Sequence, residues 1–260
     1  MDIGLQNLLV LTVIFFSVLL RSVFGFGDAI LSMPILSFLI GIKSAAPLMA
    51  LVCFSIAFLM LVQKVKLINV KEVFRLSISS LMGIPFGIYM LKDFNEEIIK
   101  TVLGGLIICF SIHKLNNSNN TKRTIKPFHV RLKNLNSELY AYLIGIVAGI
   151  LGGAYNTNGP PIVYYAMISK WKPVDYTGTL QGYFVLSGLF VLAGHGIAGH
   201  FTREIFHYYL LSVPLIIVAG IVGKKVSRKI SINQFLFSIY LLFFMVGFLL
   251  FFINIFSIFS

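Results

Sequence analysis

Long apolar runs alternate with short polar interruptions from the first residues of the chain to its last. A helix that crosses a membrane needs about 20 apolar residues. On that template the candidate segments are 5–21, 24–42, 44–63, 74–91, 97–113, 138–156, 159–170, 176–195, 204–223 and 233–256. Several are short, and two regions are interrupted. Segment 24–42 carries Gly25, Gly27 and Pro34, and the stretch 138–170 is broken between Gly152 and Pro161. The second interruption reads GGAYNTNGPP, with Asn156, Thr157, Asn158, Gly159, Pro160 and Pro161 in succession. These residues weaken or stop a helix, and backbone without internal hydrogen bonds is tolerated at membrane depth only where protein or a water-filled cavity covers it. The interruption therefore predicts a cavity.

Composition agrees with the pattern. Of 260 residues, 58% are hydrophobic and 12% charged, which excludes a soluble domain and identifies an integral membrane protein. The opening MDIGLQNLLVLTVIFFSVLL has no basic leader and no small-residue cleavage site, and reads as a retained first span. A net charge of +12 would suggest a nucleic-acid partner in a soluble chain. Here the cations lie in short loops between apolar runs, where they orient the chain in the bilayer, so no nucleic-acid partner is expected. Cys53 and Cys109 fall mid-span without a CxxC motif and read as small core residues.

The two halves echo each other. Gly25, Gly27 and Pro34, followed by the loop from Lys43 to Pro47, are matched by Gly152, Gly153 and Pro161 with Lys172 to Thr177. Glu72-Val73-Phe74 is matched by Glu204-Ile205-Phe206, and Gly87 by Gly223. An internal duplication follows, with a first membrane repeat at 1–113, a basic cytoplasmic loop at 114–137 and a second repeat at 138–260. Five elements per half is an odd number, so the second half should enter the bilayer from the opposite side. If 64–75, 114–136, 170–172, 224–229 and Arg21 face the cytoplasm, 17 of the 21 Lys and Arg lie inside, which leaves Lys43, Lys92, Lys100 and Arg203 outside. The expected fold is an all-α polytopic membrane protein of two inverted repeats. Its broken half-helices meet near the midplane, and both termini lie outside.

Such half-helices aim their positive N-terminal ends at an anion. Asn158 can cap, and Gly159-Pro160-Pro161 can open, a helix running through Met167. In the first half Ser32 or Met33, before Pro34, would start the matching half-helix, and Gly25 and Gly27 would let the backbone bend. Gly152 and Gly153 would serve bending and close approach, while Asn156, Thr157 and Asn158 would donate hydrogen bonds. Asp28 is an intramembrane carboxylate with three readings: a coupling group for protons or sodium, a cap on the following half-helix, or an interfacial residue beside Arg21. Gln181 either donates to a substrate oxygen or bridges helices. His195 and His200 are five apart, a poor metal spacing, and His207 with Tyr208 and Tyr209 reads as an interfacial anchor. No Ser–His or paired-carboxylate arrangement lies at membrane depth, and neither an enzyme, a metal centre nor a cofactor is expected.

The run GILGGAYNTNGPPIVYYAM, the following WKPVDYTGTLQGYF (171–184), and the first-half GFGDAILSMPILSFL with Pro47-Leu48 resemble the TauE/SafE family of anion transporters. The resemblance covers nearly the whole chain. It implies a multi-pass permease of the bacterial inner membrane, an exporter of sulfite, an organosulfonate or a related sulfur-containing anion, driven by the proton motive force. Gly25, Gly27 and Pro34 match the first-half pattern; Gly152, Gly153 and the run Asn156 to Pro161 match the second. One departure is Thr177, where members of the family often carry a basic residue, so binding would rest more on helix dipoles and neutral donors. The expected partners are a small anionic substrate, membrane lipid and a second copy of the chain in a homo-oligomer. The rival readings are a cation or metal permease that uses Asp28, and a membrane scaffold without a substrate.

Overall fold

The protein is described from a computed structural model that covers residues 3–65, 68–118, 137–227, 244–245, 247–249 and 251–255. Every regular element among the described residues is helical. They are α1 (Ile3–Phe24), α2 (Asp28–Ile40), α3 (Ile42–Val62), α4 (Val70–Asp93), α5 (Glu96–Ser118), α6 (Ser137–Tyr155), α7 (Gly159–Ile168), α8 (Pro173–Ile197) and α9 (Arg203–Val226). Nine of the ten expected segments thus become helices. Within the tenth, 233–256, the described residues 244–245, 247–249 and 251–255 are helical. The expected basic loop lies largely outside the described residues, and α5 continues five residues into it, to Ser118.

Among the described residues six helices, α1, α3, α4, α6, α8 and α9, are long and apolar enough to cross a membrane. Their outer faces carry the large apolar side chains that a lipid environment accepts. On α4, Phe74, Ile78, Leu81, Met82, Phe86 and Tyr89 are all exposed. The chain is a multi-pass membrane protein.

Local chemistry sets the helix ends. Asn69 caps α4 by accepting from the Glu72 N–H at 3.3 Å, and Thr202 caps α9 by accepting from Ile205 N–H at 3.3 Å. Packing then depends on small residues, because lipid supplies no hydrophobic drive between helices. The most extensive pairing joins α4 to α6. Gly83 and Gly87 on α4 lie against Ile146, Ile150 and Ala154 of α6, and Gly145, Gly149 and Gly153 on α6 lie against Ser79, Ser80 and Ile84 of α4. A Cβ at Gly87 would stand 2.2 Å from the Ile150 carbonyl oxygen, and one at Gly149 would stand 2.1 Å from that of Ser80. The two backbones touch, and only glycine permits it. The close-approach role expected of Gly153 is met, since its Cβ would lie 2.4 Å from the Ile84 carbonyl oxygen.

Cross-links between elements fix their directions. Gln6 Nε2 donates to the Leu39 carbonyl at 2.6 Å, and Arg21 Nη1 to Asp28 Oδ2 at 2.7 Å, so α2 folds back antiparallel along α1. In the second half Tyr140 near the start of α6 is hydrogen-bonded to Tyr164 in the middle of α7, so α7 folds back along α6. The Ile42 N–H donates to Glu96 Oε1 at 2.9 Å, which ties the start of α3 to the start of α5 at one end of the bundle. Asn69 N–H donates to Thr179 Oγ1 at 2.9 Å near the opposite end.

Several local expectations are corrected. Neither Ser32 nor Met33 starts the first short helix, which begins at Asp28, with Pro34 inside it. Gly25 and Gly27, at φ of 86° and 101°, reverse the chain before the proline is reached, and a left-handed φ is open to glycine at little cost. Cys109 is exposed on α5 and not a core residue. Tyr208 is buried, and Tyr209 shares a 2.8 Å hydrogen bond with Ser55 of α3, so both serve packing where interfacial anchoring was expected.

Candidate functional site

Each antiparallel pair turns through three residues: Gly25, Phe26 and Gly27 between α1 and α2, and Asn156, Thr157 and Asn158 between α6 and α7. The second turn has no glycine, and Asn156 takes the left-handed conformation itself, at φ 55°. Asparagine tolerates that region better than most residues. Its side-chain Nδ2 donates to the Ala46 carbonyl of α3 at 2.7 Å, which pins the turn to the first half.

The two turns face each other across a narrow cavity. Gly27, Asp28, Ala29 and Ile30 line it from the first turn and the opening of α2; Asn156, Thr157, Asn158, Gly159 and Pro160 line it from the second turn and the opening of α7. Arg21 and Phe184 complete the wall. A second cavity shares Arg21, Asn156, Asn158 and Phe184 with the first and extends between α3 and α8, past Cys53, Phe54 and Gly188. Two helix N-termini, each equivalent to roughly half a positive charge, thus open onto one space. Pro160 and Pro161 have no N–H, so the first-turn donors at the mouth of α7 come from Asn158 and Gly159.

The charge at the centre is Arg21. It is 3% exposed, although it is in the last turn of α1 where the sequence reading places it among the cytoplasmic cations. Its Nη1 meets Asp28 Oδ2 at 2.7 Å, its Nη2 meets Gln181 Oε1 at 3.3 Å, and its plane lies over the Phe184 ring with the guanidinium carbon 4.5 Å from the centroid. Its Nε is buried with no hydrogen-bond partner. A buried guanidinium thus lies in the cavity wall beside the openings of α2 and α7.

Of the expected site residues, the structure brings Gly27, Asp28, Asn156, Thr157, Asn158, Gly159 and Pro160 to the cavity wall. Gly25 lies just behind, where its carbonyl accepts from Gln181 Nε2 at 2.8 Å. Gln181 is fully buried and bridges α8 to the first turn, the helix-bridging alternative of the two. Gly152 packs against the Asn158 side chain and Gly153 against α4, while Pro34 and Pro161 line neither cavity. Asn158 stands at the N-cap position of α7, but its side chain does not cap; Nδ2 donates to Ser187 Oγ at 3.3 Å instead. Asp28 is buried, paired with Arg21 and makes no side-chain cap; it occupies the first turn of α2.

Arg21, Phe184 and Ser187 are the site residues that the sequence reading missed. One signal was available for the first: two opposite charges, Arg21 and Asp28, flank a glycine-rich turn inside an otherwise apolar run. Arg21 also answers the departure at Thr177, because it brings a full positive charge to the cavity from the first half of the chain.

The family model described as sulfite exporter TauE/SafE matches residues 9–250, nearly the whole length. No curated protein and no solved structure matches the chain.

Proposed function

Because the chain belongs to the sulfite exporter TauE/SafE family of membrane transporters, we propose that it exports a small sulfur-containing anion, bound in the cavity between the two turns. The observation that carries this reading is Arg21: a buried guanidinium with an unpartnered Nε, in the wall of a space onto which two helix N-termini open. Sulfite and organosulfonates present several oxygens to such donors, and a planar guanidinium recognises oxyanions with two parallel hydrogen bonds. Arg21 and Gly27 supply the first-half wall of the cavity; Asn156, Asn158 and Gly159 supply the second-half wall and neutral donors.

Transport needs the site to open to each side in turn. In our reading α1–α2 and α6–α7 are the corresponding broken-helix hairpins of two inverted repeats, entering from opposite faces. One repeat rocking against the other would then move the cavity from one face to the other. The cation-permease alternative is weakened by the pairing of Asp28, whose carboxylate is taken up by Arg21 at 2.7 Å.

The test is stabilisation of the purified protein in detergent by sulfite, thiosulfate, taurine, sulfoacetate, sulfate and short carboxylates. A ligand at about 100 times its dissociation constant adds about 2.7 kcal/mol to the folded state. Stabilisation by a sulfur oxyanion or sulfonate, lost in Arg21→Met, is the expected result. Stabilisation by divalent cations alone would replace this reading with the cation permease.

A further inference from the structure

The Arg21–Asp28 pair sits where the anion of the preceding proposal would bind, and this inference rests on that reading. We propose that Asp28 is a tethered competitor: the transported anion takes its place on Arg21, and the displaced carboxylate leaves the pair by accepting a proton from solution. The site then admits one negative charge together with one proton.

Charge balance leads to this conclusion. The charged and titratable groups facing the guanidinium are few: Asp28 on α2 and, in the adjoining cavity, Cys53 on α3. The α6–α7 turn contributes Asn156, Thr157 and Asn158, and α8 contributes Gln181, Phe184 and Gly188, all uncharged. Arg21 and ionised Asp28 sum to zero. A monovalent anion entering beside them leaves one net negative charge buried, a state that burial penalises heavily. With Asp28 protonated, Arg21 and the monovalent anion again sum to zero. A dianion leaves a residual negative charge even then, so the geometry selects monovalent oxyanions or the singly protonated forms of divalent ones. The helix N-termini favour every anion and do not alter this comparison.

The contacts also suit displacement. Asp28 engages Arg21 through a single Nη1 contact, and Gln181 holds Nη2 and the Gly25 carbonyl together. Arg21 is therefore held by groups other than Asp28. When Asp28 leaves, an incoming oxyanion can take Nη1 without moving the guanidinium, which Gln181 still holds through Nη2. Protonation forms one O–H bond on the Asp28 carboxyl and breaks none in the anion.

Methanesulfonate tests this, because its single charge is constant across the pH range of the protein. Its binding to the purified protein is measured by calorimetry between pH 6 and 8, in two buffers of different ionisation enthalpy, in a Cys53→Ser background that removes the thiol. The expected result is uptake of one proton per methanesulfonate, a dissociation constant that rises with pH by up to about tenfold per unit, and weaker binding of sulfate. Asp28→Asn should bind methanesulfonate with no pH dependence and no proton uptake. The proton count on the native Asp28 holds the test should that variant not fold. Binding without proton uptake overturns this inference and leaves the anion site standing. Failure of methanesulfonate, sulfite and thiosulfate all to bind overturns both.

Discussion

Consider the chain with Asp28 replaced by leucine. The guanidinium of Arg21 stays 3% exposed, with Gln181 Oε1 at 3.3 Å as its remaining side-chain acceptor. Removing one member of a buried ion pair costs about 3–5 kcal/mol, because the other charge is left uncompensated. Arg21→Met strands the opposite charge, but Asp28 then stands in the first turn of α2, where the helix dipole returns up to about 2 kcal/mol. Its cost should fall near the lower end of the same range. The double variant Arg21→Met/Asp28→Leu carries neither charge into the interior. Replacing a buried pair by apolar residues of similar volume is often neutral or stabilising. The double variant should therefore exceed Asp28→Leu in stability by about 3 kcal/mol or more, while binding no anion. Equilibrium unfolding in mixed detergent and denaturing micelles, followed by helix content, measures all four proteins as one thermodynamic cycle. An Asp28→Leu protein within about 1 kcal/mol of the parent, or a double variant no firmer than that single one, would refute the premise that the two charges meet in a dry interior.

Other substitutions probe the frame and its edge. Gly149→Ala should push α4 from α6 and destabilise by at least about 1–3 kcal/mol, the range for overpacking; Gly105→Ala, with 3.6 Å to the nearest Phe251 ring atom, is the tolerated control in the same unfolding measurement. Asn156→Gly should lose about 1 kcal/mol with its bond to Ala46, and Asn156→Val about 1–2 kcal/mol more from its left-handed φ, so equal losses in the two would contradict the turn geometry. His200, in the loop between α8 and α9, has its pKa lowered by burial first and then by Lys92 and Lys43. A depressed histidine favours the neutral folded form, so stability should be full above about pH 6.5 and decline as pH falls below it. His200→Gln should remove part of that decline, and an unchanged slope in the variant would speak against it.

Much of the architecture was legible in the sequence because bilayer thickness fixes the length of an apolar run. Segments 74–91 and 204–223 became α4 and α9 with only a few residues added at each end. The second turn was legible too, since Asn156 to Pro161 cannot continue a helix. The first is misplaced: weighing proline as a helix opener puts the start at Ser32 or Met33, but two glycines at positive φ turn the chain so that α2 begins at Asp28, four or five residues earlier. Arg21 was hidden by the rule that cations at the ends of apolar runs face water. That rule has no means of seeing a carboxylate brought back by a turn. The glycines of the α4–α6 contact, Gly83 and Gly87 on one helix and Gly145, Gly149 and Gly153 on the other, stand plainly in the sequence, but spacing alone does not say which helix a small-residue face will meet.

The most direct test of the account is efflux of radiolabelled sulfite from proteoliposomes, comparing the parent protein with Arg21→Lys and Asn158→Leu at equal reconstituted amounts. Arg21→Lys keeps the charge but loses the planar fork, and Asn158→Leu removes a donor from the opposite wall. The account predicts sulfite efflux from the parent and its loss in both variants. Parental rates in either variant, or no sulfite efflux from the parent, would contradict it.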